Sequence, residues 1–262
     1  MPNPSAPDHK KGNPAAAEGS ATLSSAAGLS ESSSPLILSR AVLQTGEIEA
    51  MIARDAPGQK ILTEAERTAS LDAALASRPE GDAWVFAYGS LIWNPTVHSL
   101  ERRTVHVFGW HRAFCLSVSA GRGSPEVPGL VLALDQGGEC GGVAYRIEPS
   151  VLRDELEILW RREMVSGSYL PAWVDIFDSN DRTLRIGSAL AFTINPTDER
   201  YAGLLPSQDI VSRLATAKGF LGSAADYLFL TCEGLHASGI PDPELDALAE
   251  TVRKALVSAS AV

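Results

Sequence analysis

The 262-residue chain has no apolar run near the roughly 20 residues needed to cross a bilayer, so no membrane role is expected. It is also short of positive charge. Lys and Arg total 22 against 32 Asp and Glu, and a net charge of −10 argues against binding nucleic acid. Cysteine is scarce: Cys115, Cys140 and Cys232 are too few and too far apart for a disulfide framework or a CxxC metal knuckle. His98, His106 and His111 lack regular ligand spacing and carboxylate companions, so they read as structural and no metal site is expected. The first real apolar run, Leu36-Ile37-Leu38, is too short for the core of a secretory signal, and there is no internal repeat. A reduced, cytoplasmic compartment is the expectation.

Hydrophobic residues make up 45% and charged residues 21%, ordinary for a globular protein, and the length leaves room for one sizeable core or at most two small ones. Residues 1–34 are mostly Ser, Ala, Pro and Gly with almost no large apolar side chain, the composition of a disordered tail. In residues 35–80 Leu43, Ile48, Ile52, Leu62, Leu71 and Leu75 recur at loosely helical spacing, broken at Pro57-Gly58. This predicts one or two short helices packed onto the main domain. From residue 81 the pattern turns to strands, expected at 84–87, 105–108 and 113–118. Hairpins are expected between 130–134 and 143–147 across Gln136-Gly137-Gly138, and between 172–177 and 184–194. Helices are expected at 151–165, at 207–218 with Gly219 as C-cap, at 224–236 and at 244–257. Strands first and helices last predict an α+β fold with a small, mixed, barrel-like sheet and flanking helices.

Two stretches could carry chemistry. Trp84 to Trp93 reads WVFAYGSLIW: an apolar strand stopping at Tyr88-Gly89-Ser90. A Gly-Ser pair there exposes backbone N–H groups suited to an anion or oxyanion, although any strand ending in a turn looks similar. The second is the helix from residue 151. At about 100° per residue, with Leu152 at zero, Leu156 falls near 40°, Leu159 near 340° and Trp160 near 80°. Glu163 falls near 20°, inside this apolar stripe, while Arg161 and Arg162 are expected to point well away from it. A carboxylate on a buried face is held above its usual pKa and suits proton transfer near neutrality. The alternative is a helix-terminal Glu that emerges into solvent. Arg102, Arg103, Arg112 and Arg122 make 98–122 locally basic, which suits carboxylate recognition or merely a solvated face. Cys115 reads as a core residue, and YGSL is not the GxSxG nucleophile elbow.

The YGSLIW run, the GRGSPEVPG loop at 121–129, GGVAYRI at 141–147 and LWRREMVSGSY at 159–169 occur in the order that resembles the ChaC branch of the γ-glutamylcyclotransferase superfamily. The resemblance spans roughly residues 82–255. It implies a small β-barrel-like catalytic domain over 81–262 that cleaves glutathione to 5-oxoproline and Cys-Gly without a cofactor. It places the catalytic acid–base at Glu163 and the substrate-binding stretch at Val85, Phe86, Ala87, Tyr88, Gly89 and Ser90; for such a reaction the backbone N–H groups near Gly89, Ser90 and Leu91 are expected to stabilise the oxyanion. Ala87 departs from the glycine common before YGS. Two alternatives stay open: a cyclotransferase for other γ-glutamyl amines or dipeptides, and a non-enzymatic γ-glutamyl-binding regulator.

Overall fold

The computed structural model describes residues 36–260, all within one compact unit; the tail expected at 1–34 lies outside the described residues. Ala83–Ala87 (β1) is buried at every position. It pairs antiparallel with Gly129–Ile147 (β3), from Ala83 opposite Ile147 to Ala87 opposite Val143, and parallel with Arg185–Ile194 (β5). A strand flanked on both edges and covered on both faces needs a continuous apolar run, which Trp84-Val85-Phe86-Ala87 supplies. Glu101–Val118 (β2) and Tyr169–Asp178 (β4) complete a closed barrel in the order β1-β3-β2-β4-β5. Closure leaves no unpaired sheet edge.

The hairpin between β4 and β5 forms around Ser179-Asn180-Asp181 as the sequence predicts. The hairpin across Gln136-Gly137-Gly138 does not. β3 runs through these residues as one strand and pairs with the full length of β2, which also continues through Gly109-Trp110-His111-Arg112. Gly109, Gly137 and Gly138 all have positive φ, and the register shifts between Phe108 and Trp110 at this level. The glycines bend two long strands together where the sequence suggests a turn, since a bulge and a turn draw on the same residue types.

The helices that follow the extension are Leu152–Glu163 (α4, entered through a 3-10 turn at Pro149–Val151), Ser207–Thr216 (α5), Ala224–Ala237 (α6) and Pro243–Ser260 (α7). The expected C-cap at Gly219 is replaced by a two-residue strand, Lys218–Gly219, pairing with Gly222–Ser223. The extension forms three helices, one more than expected: Arg40–Gln44 (α1), Glu47–Asp55 (α2) and Glu64–Ala76 (α3), the last started by a Thr63–Glu66 capping box.

This extension is stitched to the rest. Leu43 and Ile48 bury against Ile158 of α4 and Val165, and the Leu62 N–H donates to Val165 O at 2.8 Å. Buried Glu155, on α4, accepts from both guanidinium nitrogens of Arg40 (2.6 and 3.0 Å) and from the His98 N–H at 2.8 Å. Burial alone raises the Glu155 pKa, but these bonds outweigh it and hold the carboxyl below its usual range. In the barrel core Trp160 of α4 meets Phe192 of β5 edge-on, ring centroids 5.4 Å apart. Both are almost fully buried, each contributing on the order of 2–3 kcal/mol of apolar burial.

Candidate active site

After Ala87 the chain leaves β1 and turns sharply over Tyr88–Trp93, held by the Ile92 N–H donating to Gly89 O and the Asn94 N–H donating to Ser90 O. Beneath this loop lies a small chamber of about 20 Å³ lined by Tyr88, Gly89, Ser90, Leu91, Glu163, Tyr169 and Tyr227, among others. It adjoins a larger cavity of about 650 Å³, to which Ser90, Glu163, Tyr169 and Tyr227 also contribute. The structure thus brings together Glu163 and the Tyr88–Leu91 half of the expected binding stretch. Val85, Phe86 and Ala87 line neither space; all three are 0–1% exposed and support the loop from behind. The Ala87 methyl therefore sits in the core. Its carbonyl oxygen and the Phe86 ring crowd Gly142, where an added Cβ would lie 2.5 Å from both.

Glu163 ends α4, and its side chain is 15% exposed, so it does not emerge into solvent. Oε1 is buried and makes no hydrogen bond; Arg162 Nε lies 2.9 Å away but is not aimed along a hydrogen-bonding direction. Desolvation raises the Glu163 pKa, and the neighbouring guanidinium only partly opposes this. The negative end of the α4 dipole acts in the raising direction as well.

Arg162 corrects the expectation that it points well away. Its Cβ leaves the helix about 100° from that of Glu163, but its long side chain folds back across the helix end. It donates to Ser90 Oγ at 2.9 Å, to Thr96 Oγ1 at 3.3 Å and to Asn94 O, while touching Glu163. Arg161 does point outward, towards Glu64.

The tyrosines have no such flexibility of charge. Tyr88 donates to Phe192 O at 2.6 Å and Tyr169 to Leu132 O at 2.9 Å; burial keeps both phenols far above their ordinary pKa. Burial and the nearby Glu163 push Tyr227 up to about 12. Among the residues lining the chamber, Glu163 is therefore the group able to exchange a proton near neutral pH. Tyr227 is placed by the first turn of α6, which begins with a Ser223–Asp226 capping box. A Cβ on Gly89 would come within 2.9 Å of its hydroxyl, so any larger residue there would force the Tyr227 hydroxyl to shift.

Of the four arginines in the basic segment, Arg122 alone reaches the larger cavity. It donates to Ser223 O at 3.0 Å, stands over the Tyr227 ring at 5.9 Å and forms no ion pair among the described residues. Arg112 is paired with Asp242, Arg103 with Glu101, and Arg102 donates to Ser238 Oγ, all away from the site. The sequence reading missed Arg162, Tyr169 and Tyr227 as site residues; an inward-facing tyrosine and an ordinary core tyrosine look alike in one sequence. Cys115 is buried, as expected, with its thiol pushed up to about 12.

Residues 83–255 match a family model described as ChaC-like protein. The chain is 44% identical over 192 residues to the glutathione-specific gamma-glutamylcyclotransferase of Escherichia coli, an alignment covering 73% of this chain and 82% of that one. It is 32% identical over 184 residues to the human glutathione-specific gamma-glutamylcyclotransferase 1, covering 67% and 82%. Among solved structures, the yeast gamma-glutamyl cyclotransferase specific to glutathione superimposes with a TM-score of 0.59 at 23% identity, covering 67% of this chain and 97% of that one, and so shares the fold.

Proposed function

The chain belongs to the ChaC-like family, and from that premise we propose that it is a glutathione-specific γ-glutamylcyclotransferase with Glu163 as its acid–base group. The observation that carries the reading is that Glu163, buried and with Oε1 free of hydrogen bonds, lines a chamber roofed by the Tyr88–Leu91 loop.

The γ-glutamyl group brings its own nucleophile. Folded back on itself, its α-amine attacks the γ-amide carbonyl and a five-membered lactam closes. The new C–N bond forms as the C–N bond to the Cys-Gly amine breaks. Holding the chain in this folded conformer supplies most of the entropic part of the barrier. Glu163 accepts a proton from the attacking amine and delivers one to the departing amine, so the carboxylate is regenerated each turn. Backbone N–H groups at Gly89, Ser90 and Leu91 stabilise the oxyanion. Arg122, at the cavity wall and in no ion pair among the described residues, binds a substrate carboxylate. The products are 5-oxoproline and Cys-Gly, and no step calls for a cofactor.

Among the described residues no helix is long and apolar enough to cross a membrane, and all three cysteines are buried free thiols. These features support placing the enzyme in the reducing cytoplasm, where its substrate is kept as the thiol. The deciding experiment measures 5-oxoproline from glutathione, γ-Glu-Ala and γ-glutamyl-lysine. Turnover confined to glutathione supports the reading, preference for another γ-glutamyl compound reassigns the substrate, and binding without any product would make the protein a regulator.

A further inference from the structure

The larger cavity has two unlike walls. Part of its lining presents Ser90, Arg122 and Glu163, groups assigned above to the γ-glutamyl peptide, together with Arg162, which holds the loop. Another part of the lining is built by the extension, through Leu36, Ile37, Leu38 and Ile52, and carries no charged side chain from that segment. The ChaC-like match begins at residue 83, so this wall lies wholly outside the part of the chain the family accounts for. Glutathione itself gains little from it, since its surface is dominated by carboxylates, an ammonium, amides and a thiol. About 650 Å³ is also generous for a tripeptide.

The wall is held in place. Asn94 Nδ2 donates to Leu38 O at 3.0 Å, joining it to the end of the loop that roofs the chamber, and the Leu36 N–H donates to Phe220 O at 2.9 Å. Ile37 is 75% exposed and Ile52 half-buried, so apolar surface is left uncovered within a formed cavity. Exposed apolar surface lining a cleft that also carries polar anchors is the pattern of a ligand subsite.

Resting on the function proposed above, we propose that the extension forms a subsite for an apolar substituent on the cysteine sulfur, making S-alkyl and S-aryl glutathione conjugates substrates. The cysteine is the first residue beyond the scissile amide. With the γ-glutamyl group against the Tyr88–Leu91 loop at the Glu163 end of the larger cavity and a carboxylate on Arg122, the apolar wall is left for its side chain. The bond chemistry is unchanged: the lactam closes, the γ-amide C–N bond breaks, and an S-substituted Cys-Gly leaves with the proton from Glu163.

The test compares kcat/KM for glutathione, S-methylglutathione and S-hexylglutathione with the full-length protein, reading 5-oxoproline. Each buried methylene is worth about three- to fourfold, so S-hexylglutathione is expected to exceed S-methylglutathione by roughly tenfold or more with only part of its chain buried. Ile37→Asp and Ile52→Asp, each at a site that is not fully buried, are expected to cut that hexyl-to-methyl ratio by about tenfold. If glutathione is turned over but the hexyl conjugate is not, or the ratio is unmoved by both variants, the subsite is refuted while the cyclotransferase stands. If neither yields 5-oxoproline, the functional reading itself has failed and the subsite falls with it.

Discussion

Replacing Glu163 by glutamine separates the chemical role of this residue from a structural one, because the two predict opposite signs in different assays. The amide keeps the size and shape of the side chain and removes only its ability to carry a proton. The substrate contacts proposed for the loop and Arg122 are left in place, so binding and orientation should persist. The loss is then the proton-transfer contribution alone, about 10²- to 10⁴-fold in kcat, equivalent to roughly 3–5 kcal/mol of barrier. Stability should move the other way. The folded-state pKa of Glu163 lies above its unfolded value because burial disfavours the charged form. Folding is therefore favoured by this group below the unfolded carboxylate pKa, and that advantage is lost as pH rises through the raised folded value. At neutral pH the neutral amide escapes the cost of a buried charge, so Glu163→Gln should melt at the same temperature as wild type or higher. The difference should fade on acidification. Initial rates of 5-oxoproline release and thermal melts at pH 7.5 and near pH 4 test both halves. Near wild-type turnover, or a clear loss of melting temperature at neutral pH, would refute the assignment.

Further outcomes follow from the same geometry. The wild-type kcat/KM for glutathione should rise with pH through the raised Glu163 pKa, and Glu163→Gln should flatten that limb in a pH–rate profile. Gly89→Ala, which brings a Cβ within 2.9 Å of the Tyr227 hydroxyl, should lower kcat/KM at least tenfold, and adding Tyr227→Phe should recover part of the loss. Arg122→Ala should raise KM for glutathione by about tenfold or more with a smaller effect on kcat, reflecting one lost charge-assisted contact. Arg40→Ala should destabilise the fold by about 1–3 kcal/mol in denaturant titrations, less than for a fully buried pair because Arg40 is 30% exposed. The Glu155 pKa is lowered in the fold, so this stabilisation is present above the ordinary carboxylate range and lost as pH falls through the lowered value.

Regular patterns with one physical cause were legible in the sequence. The buried strand before YGSL, the second hairpin and the apolar stripe of α4 each follow from a periodicity, and the structure has all three. Glu163 stood out because a carboxylate interrupted such a stripe. What stayed hidden depended on distant partners. Gly137 and Gly138 look the same in a bulge as in a turn until the partner strand is known to run past them. Glu155 falls at the edge of the stripe and reads as an exposed helix-start acid, yet Arg40, 115 residues earlier, makes its burial tolerable. Angular position on a helix located the Cβ of Arg162 correctly and its guanidinium wrongly, because a flexible four-bond side chain is not bound to follow its Cβ.

Arg162 and Glu163 are consecutive in the chain, one gripping the YGSL loop from below and the other facing the chamber that loop covers. The register between the roof of the site and its acid is thus set by a single peptide unit. Breathing of the barrel or drift of the flanking helices carries both together and leaves their separation unchanged. Tolerance to change should therefore be uneven: insertions between the barrel strands can be absorbed at a distance, whereas one residue gained or lost within the last turn of α4 rotates the acid out of the chamber and releases the loop in the same stroke.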